Sequence, residues 1–224
     1  MKLVLYSGGY GRENQALASQ VAKLLRQPGK RAPVITFVPN CSEDAEPDFR
    51  DCQRQLAGIG RAEFQCIAID RALSREEEET LFSSDGIFLG GGNTFYLLHS
   101  LKEQRLLSKF RAFVARGGVL MGLSAGSIVL TPSVETAQVP SFEADDNDVG
   151  LTNLKALDLV PFEFSPHYQP NKKADAELLS HSRKVKRPIY ACADGEGIVV
   201  RDGAIHFVGN VTVFHRGQKY STLQ

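Results

Sequence analysis

The sequence has no surplus of charge of either sign: Lys plus Arg number 26 and Asp plus Glu 26. A chain without a net field exerts no global pull on nucleic acid or on an anionic membrane, so neither is expected as a partner. It lacks any apolar run near the roughly 18 residues that a membrane span requires, and residues 1–7 are too short for a signal core before Gly8-Gly9 interrupts them. The expectation is a soluble, unprocessed, cytoplasmic protein. Cysteine is scarce, and Cys41, Cys52, Cys66 and Cys192 form no C-x-x-C pair, which argues for reduced thiols over staples or a metal centre. Internal repeats and low-complexity tracts are missing as well, which excludes solenoid and fibrous architectures.

What is present is ordinary globular composition, 42% hydrophobic and 23% charged over 224 residues, enough for one well-buried core. We therefore expect a single domain over residues 1–224, acting as a monomer or homodimer. Short apolar, β-rich runs at 2–6, 34–37, 64–67, 86–89 and 119–123 alternate with helical spacing at 13–25, 48–59, 74–82 and 106–116. That alternation predicts an α/β protein of three layers, a mostly parallel sheet flanked by helices. Ser74 followed by Glu77 reads as a capping box, and Gly117-Gly118 as a helix stop. Asp202-Gly203 between apolar runs predicts a small C-terminal hairpin. The basic runs 26–31 and 183–187 read as solvated connections.

Three features carry chemistry. Gly122-Leu123-Ser124-Ala125-Gly126 is a G-x-S-x-G placed directly after an apolar strand, the context of a nucleophile elbow. Small neighbours are needed there because bulk would block the serine Oγ from a substrate carbonyl. Gly90-Gly91-Gly92-Asn93-Thr94 follows another strand and has neither the lysine nor the spacing of a phosphate loop. An oxyanion hole shared between a loop N–H and that of Ala125 suits it better. Among the five histidines, His99, His181, His206 and His215 lie within helical or strand patterns. His167 alone follows a strand broken by Pro166, at the kind of strand end where α/β folds collect catalytic groups.

A serine and a base need a carboxylate to orient the imidazole. The stretch between Ser124 and His167 offers Glu135, Glu143, Asp145, Asp146, Asp148 and Asp158, and spacing does not choose among them. A calcium loop starting at Asp145 fails, because Val149 and Ala156 fall where oxygen ligands are required.

Taken in order, Phe88-Leu89-Gly90-Gly91-Gly92-Asn93-Thr94, Gly122 to Ser127, the run Ala156-Leu157-Asp158-Leu159-Val160-Pro161-Phe162 and Ser165-Pro166-His167-Tyr168 resemble peptidase E, the aspartyl dipeptidases of the S51 serine peptidase family, relatives of cyanophycinase. The resemblance implies a flavodoxin-like fold related to class I glutamine amidotransferases, with a Ser-His-Asp/Glu triad, an acyl-enzyme and no cofactor or metal. By position it implies Ser124 as nucleophile, His167 as base, Asp145 as the acid, and Gly92 and Ala125 as oxyanion donors. Asn93 and Lys172 are candidate substrate contacts. The function implied is a serine exopeptidase hydrolysing short peptides, those with an N-terminal aspartate among them. The alternatives are an α/β esterase-type hydrolase or a catalytically silent binding module. After His167 this chain reads Tyr168-Gln169-Pro170-Asn171-Lys172-Lys173, where the enterobacterial type carries Gly-Glu-Thr-Arg. A lysine offers charge without the bidentate fork that matches a carboxylate.

Overall fold

The structure, a computed structural model, describes residues 1–26 and 31–222. Five strands run parallel at its centre: β1 (Lys2–Tyr6), β2 (Val34–Val38), β3 (Glu63–Cys66), β4 (Gly86–Leu89) and β5 (Val119–Leu123). The expected strands at 86–89 and 119–123 coincide with β4 and β5. Two antiparallel strands, β8 (Gly197–Arg201) and β9 (Ala204–Val208), extend the sheet beside β1, giving the order β3-β2-β4-β5-β1-β8-β9.

Alternate residues of each central strand face opposite layers, as a period of two requires. Leu3 and Leu5 of β1 join one core with Leu97, Leu98, Phe110 and Phe113 from α4 (Thr94–Glu103) and α5 (Leu107–Ala115). Val4 and Tyr6 join the other with Leu17, Val21, Leu24 and Cys52 from α1 (Gln15–Leu25) and α2 (Ala45–Gln55). Helices on both faces make the sheet the middle of three layers. Each large side chain taken fully out of water there contributes roughly 1.5–3 kcal/mol.

Local signals explain several boundaries. α3 (Arg75–Ser83) starts at the Ser74 capping box, in which Ser74 Oγ accepts from the Glu77 N–H at 3.1 Å and the Glu77 carboxylate accepts from the Ser74 N–H at 2.8 Å. α5 ends before Gly117, whose φ of 96° no ordinary residue adopts cheaply. Asp202 and Gly203 both have positive φ, the requirement of a two-residue primed turn between β8 and β9.

The C-terminal part exceeds the small hairpin expected of it. β10 (Thr212–His215) and β11 (Gln218–Ser221) form a second hairpin that belongs to a separate four-stranded sheet, ordered β11-β10-β7-β6. In that sheet β6 (Glu163–Ser165) and β7 (Ile189–Ala191) are parallel, linked through α7 (Lys172–Lys184). Tyr168, Leu178, Ile189 and Phe214 pack between α7 and this sheet. The basic run at 183–187 is only partly a connection, because Arg183 and Lys184 close α7. Residues 27–30 of the run 26–31 lie outside the described residues. Among the described residues no helix is long and apolar enough to cross a membrane.

Candidate active site

Ser124 sits where β5 turns into the short helix α6 (Ala125–Ile128), at φ 50° and ψ −110°. Such a backbone costs on the order of 1–3 kcal/mol and persists only when its surroundings impose it. Here the two glycines of the motif allow the chain to close. A Cβ on Gly122 would lie 2.2 Å from the Gly126 carbonyl oxygen, and one on Gly126 would lie 2.2 Å from that of Leu89. The buried Ser127 hydroxyl lies 2.7 Å from the carbonyl oxygens of both Tyr6 and Gly122, and the Ser124 N–H donates to Tyr6 at 3.1 Å. The elbow is thus fixed from below while the Ser124 side chain faces a cleft.

His167 follows β6 and Pro166 with φ 56°. Its Nε2 lies 2.7 Å from Ser124 Oγ, and its Nδ1 lies 2.7 Å from Oδ1 of Asp194. A carboxylate at Nδ1 favours the tautomer with the proton there, which leaves Nε2 to accept the serine hydroxyl. The His167 and Asp194 side chains are 47% and 51% exposed, so water reaches the pair directly.

Asp194 arrives through the parallel pairing of β6 and β7. Both strands run the same way, so the segments leaving them emerge side by side. The Cys192 N–H donates to Ser165 at 3.1 Å, and the Tyr168 N–H to Cys192 at 2.8 Å. The turn carrying Asp194 is pinned by Glu196, whose carboxylate accepts from the N–H groups of Ala193 and Asn210 at 2.9 and 2.7 Å. Gly195, with φ 82°, donates to the Gly8 carbonyl at 3.2 Å.

The carboxylate hydrogen-bonded to His167 is therefore that of Asp194, where Asp145 was expected. Asp145 takes another post: its Oδ2 accepts from the Thr94 N–H at 2.8 Å, in the first turn of α4, where the partial positive charge of a helix start favours a carboxylate. It lines a small recess with Ser124 and His167 but makes no hydrogen bond to the imidazole. Asp146 offers its carbonyl to Asn93, and neither Asp148 nor Glu135 meets His167.

Asn93 borders the cleft, yet its Oδ1 caps Tyr96 N–H at 2.9 Å and its Nδ2 donates to Asp146, so its side chain is committed to the loop. Lys172 is the exposed first residue of α7 and does not line the cleft. In the glycine loop, Gly91 backs onto Ser124, where an added Cβ would stand 3.6 Å from Ser124 Cβ. Gly92, at φ 129°, lies against Asn40. Burial pushes the Cys66 thiol up to about 11 and raises Cys41, Cys52 and Cys192 too, which keeps all four protonated near neutrality and poor as nucleophiles. Among the described residues no group of three or more His, Cys, Asp or Glu is placed to hold a metal ion.

The cleft beside Ser124 has a volume of about 540 Å³ and is walled by the Gly8-Gly9 turn, the head of α2, Phe37, Phe88 and the glycine loop. The sequence matches Peptidase family S51 over residues 3–208. The chain belongs to that family. Among its S51 relatives, a peptidase E of Nostoc sp. is 31% identical over 153 residues, covering 63% of this chain and 60% of the relative. The chain thus spans about 60% of the length of that relative. An uncharacterised peptidase of Listeria innocua is 34% identical over 172 residues, covering 75% of this chain and 80% of that protein. A crystal structure from Listeria monocytogenes EGD-e, described as a peptidase E protein, superposes with a TM-score of 0.71 at 24% identity, over 92% of this chain and 97% of the other. At that identity the superposition shows the shared fold.

Proposed function

We propose that this S51 chain is a serine-type dipeptidase that hydrolyses short peptides through an acyl-enzyme. The observation that carries the reading is the unbroken chain Ser124 Oγ, His167, Asp194, with both contacts at 2.7 Å, mounted on a strained elbow. In the first step Ser124 Oγ attacks the scissile carbonyl while His167 Nε2 takes its proton. Asp194 holds the ring and stabilises the imidazolium. His167 then returns the proton to the leaving amine, and a water activated by the same imidazole releases the acyl group.

The developing oxyanion has donors on both sides of Ser124. Ala125 is the first residue of α6, so its N–H has no acceptor within the helix. The Gly91-Gly92 loop faces it across the serine, and glycine there lets the backbone come close. One such donor is worth about 10²–10³ in turnover. The cleft volume of about 540 Å³ suits a small ligand such as a dipeptide. On the same reading the protein acts in the cytoplasm as a monomer or homodimer.

The test is hydrolysis of a dipeptide panel by the parent protein and by Ser124→Ala. The substitution is expected to lower turnover by about 10⁴–10⁶. Equal activity in both proteins contradicts the reading, and Ser124-dependent cleavage of acyl esters without peptides replaces it with an esterase.

A further inference from the structure

The cleft beside Ser124 has an uneven charge. Asp44, just before α2, and Asp48 and Asp51 within it line the cleft together with Asp194 and His167, and among the described residues that line it none is a lysine or arginine. The recess on the other side of Ser124 adds Glu143 and Asp145, again without a cation. Of Asp44, Asp48 and Asp51, only Asp51 has a basic partner among the described residues, Arg54 on the same helix. Arg50, the other cation of that helix, is engaged by Glu46. Among the described residues the Asp44 carboxylate accepts only the weak Cys41 S–H at 3.3 Å. Burial, together with the neighbouring Asp44 charge, raises the Asp48 carboxyl above its ordinary range. A cation placed between these two carboxylates would relieve that repulsion.

A second observation points to a ligand in the same space. Gln55 lines the cleft from the last position of α2 and is only 4% exposed. Its side-chain Nε2 has no hydrogen-bond partner among the described residues. A buried donor left unpaired costs about 1–3 kcal/mol, which an incoming carbonyl or carboxylate oxygen would recover. A peptide supplies both complements at once, carbonyl oxygens for Gln55 and, in a basic side chain, the cation for Asp44 and Asp48.

We propose that this cleft selects short peptides bearing a lysine or arginine side chain and disfavours those with an N-terminal aspartate. The inference rests on reading the cleft as the peptide-binding site of a peptidase. Every free peptide carries an N-terminal ammonium, so the side chain is the group that discriminates. An aspartate side chain would enter a space walled by like charge, where no arginine fork answers it.

The experiment is calorimetric titration of the intact Ser124→Ala protein with Lys-Leu, Arg-Leu, Ala-Leu and Asp-Leu, repeated with Asp44→Asn and Asp48→Asn added. Lys-Leu and Arg-Leu are expected to bind at least about tenfold tighter than Asp-Leu, the scale of one partly screened charge pair. The discrimination should shrink severalfold when the two carboxylates are neutralised, and Gln55→Met should weaken the binding of all four peptides. Equal or tighter binding of Asp-Leu overturns the proposal, as does failure of every peptide to bind. Turnover by the unsubstituted protein reports separately on the reading beneath it. Ser124-dependent hydrolysis with Asp-Leu bound more tightly removes this inference and leaves the peptidase standing. Tighter binding of Lys-Leu without turnover does the reverse.

Discussion

Ser7 holds His167 by its backbone: the Ser7 Oγ accepts from the His167 N–H at 2.7 Å and donates to the Cys192 carbonyl at 2.7 Å. One fully buried hydroxyl at the end of β1 thereby ties the central sheet to the exits of β6 and β7, from which His167 and Asp194 emerge. Ser7→Ala leaves the His167 N–H unmatched, while the Cys192 carbonyl keeps the Tyr168 N–H, and is expected to lower stability by about 1–3 kcal/mol. Because the imidazole loses its anchor, kcat should fall about 10–10²-fold with KM little changed, the pattern of a positioning residue. Thermal unfolding and dipeptide kinetics on the same samples check both parts.

Gly8 makes the second contact between β1 and the pair. A Cβ at this position would lie 2.2 Å from Asp194 Oδ1 and 2.4 Å from His167 Cε1. Gly8→Ala should therefore displace one or both side chains and cost on the order of 10² or more in kcat, since misplacement by about 1 Å carries that penalty. Gly58→Ala, where nothing lies within 4 Å of the added carbon, is the control and should keep parental activity.

The two candidate acids separate by substitution. Asp194→Asn removes the charge that holds the Nδ1 proton and should lower kcat by about 10⁴, the effect of a wrong tautomer. Asp145→Ala should leave kcat within a few fold and cost about 0.5–2 kcal/mol of stability through the uncapped Thr94 N–H. Reversal of the two phenotypes in kinetics and urea melts would restore Asp145 to the triad.

His181, on the buried side of α7, sets a pH dependence of stability. Burial, reinforced by the Lys184 charge and opposed by Glu135, holds its pKa below the ordinary histidine value, and its Nε2 has no partner among the described residues. The unfolded chain therefore takes up this proton first as the pH falls. The stability contributed by neutral His181 is complete above the unfolded value of about 6.5 and is lost as pH falls below it, by at most about 1.4 kcal/mol per pH unit. His181→Gln should flatten the change in melting temperature between about pH 7 and 5.

Much of this was legible in the sequence because it depends on neighbours along the chain. β4, β5, the Ser74 capping box, the Asp202-Gly203 turn and the Ser124 elbow are each written in a few consecutive residues. His167 showed itself as a histidine just past a strand broken by Pro166. Asp194 obeys the same rule, lying just past β7 in an Asp-Gly turn, but it follows His167, and the residues between Ser124 and His167 already hold several carboxylates. What places Asp194 is the pairing of β6 with β7 across α7, a long-range contact that spacing does not encode. The same holds for Gly8, whose role depends on side chains 159 and 186 positions away by its numbering against His167 and Asp194. Lys172 drew notice through its charge and its position after His167, yet Asn171 caps α7 and turns that residue toward solvent.

The most direct test of the central claim is labelling with a peptidyl phosphonate, followed by mass spectrometric mapping of the adduct. The account predicts one covalent adduct on Ser124, absent in Ser124→Ala and formed far more slowly in His167→Ala and Asp194→Asn. An adduct on another residue, or a Ser124 that labels equally fast without His167 and Asp194, would contradict it.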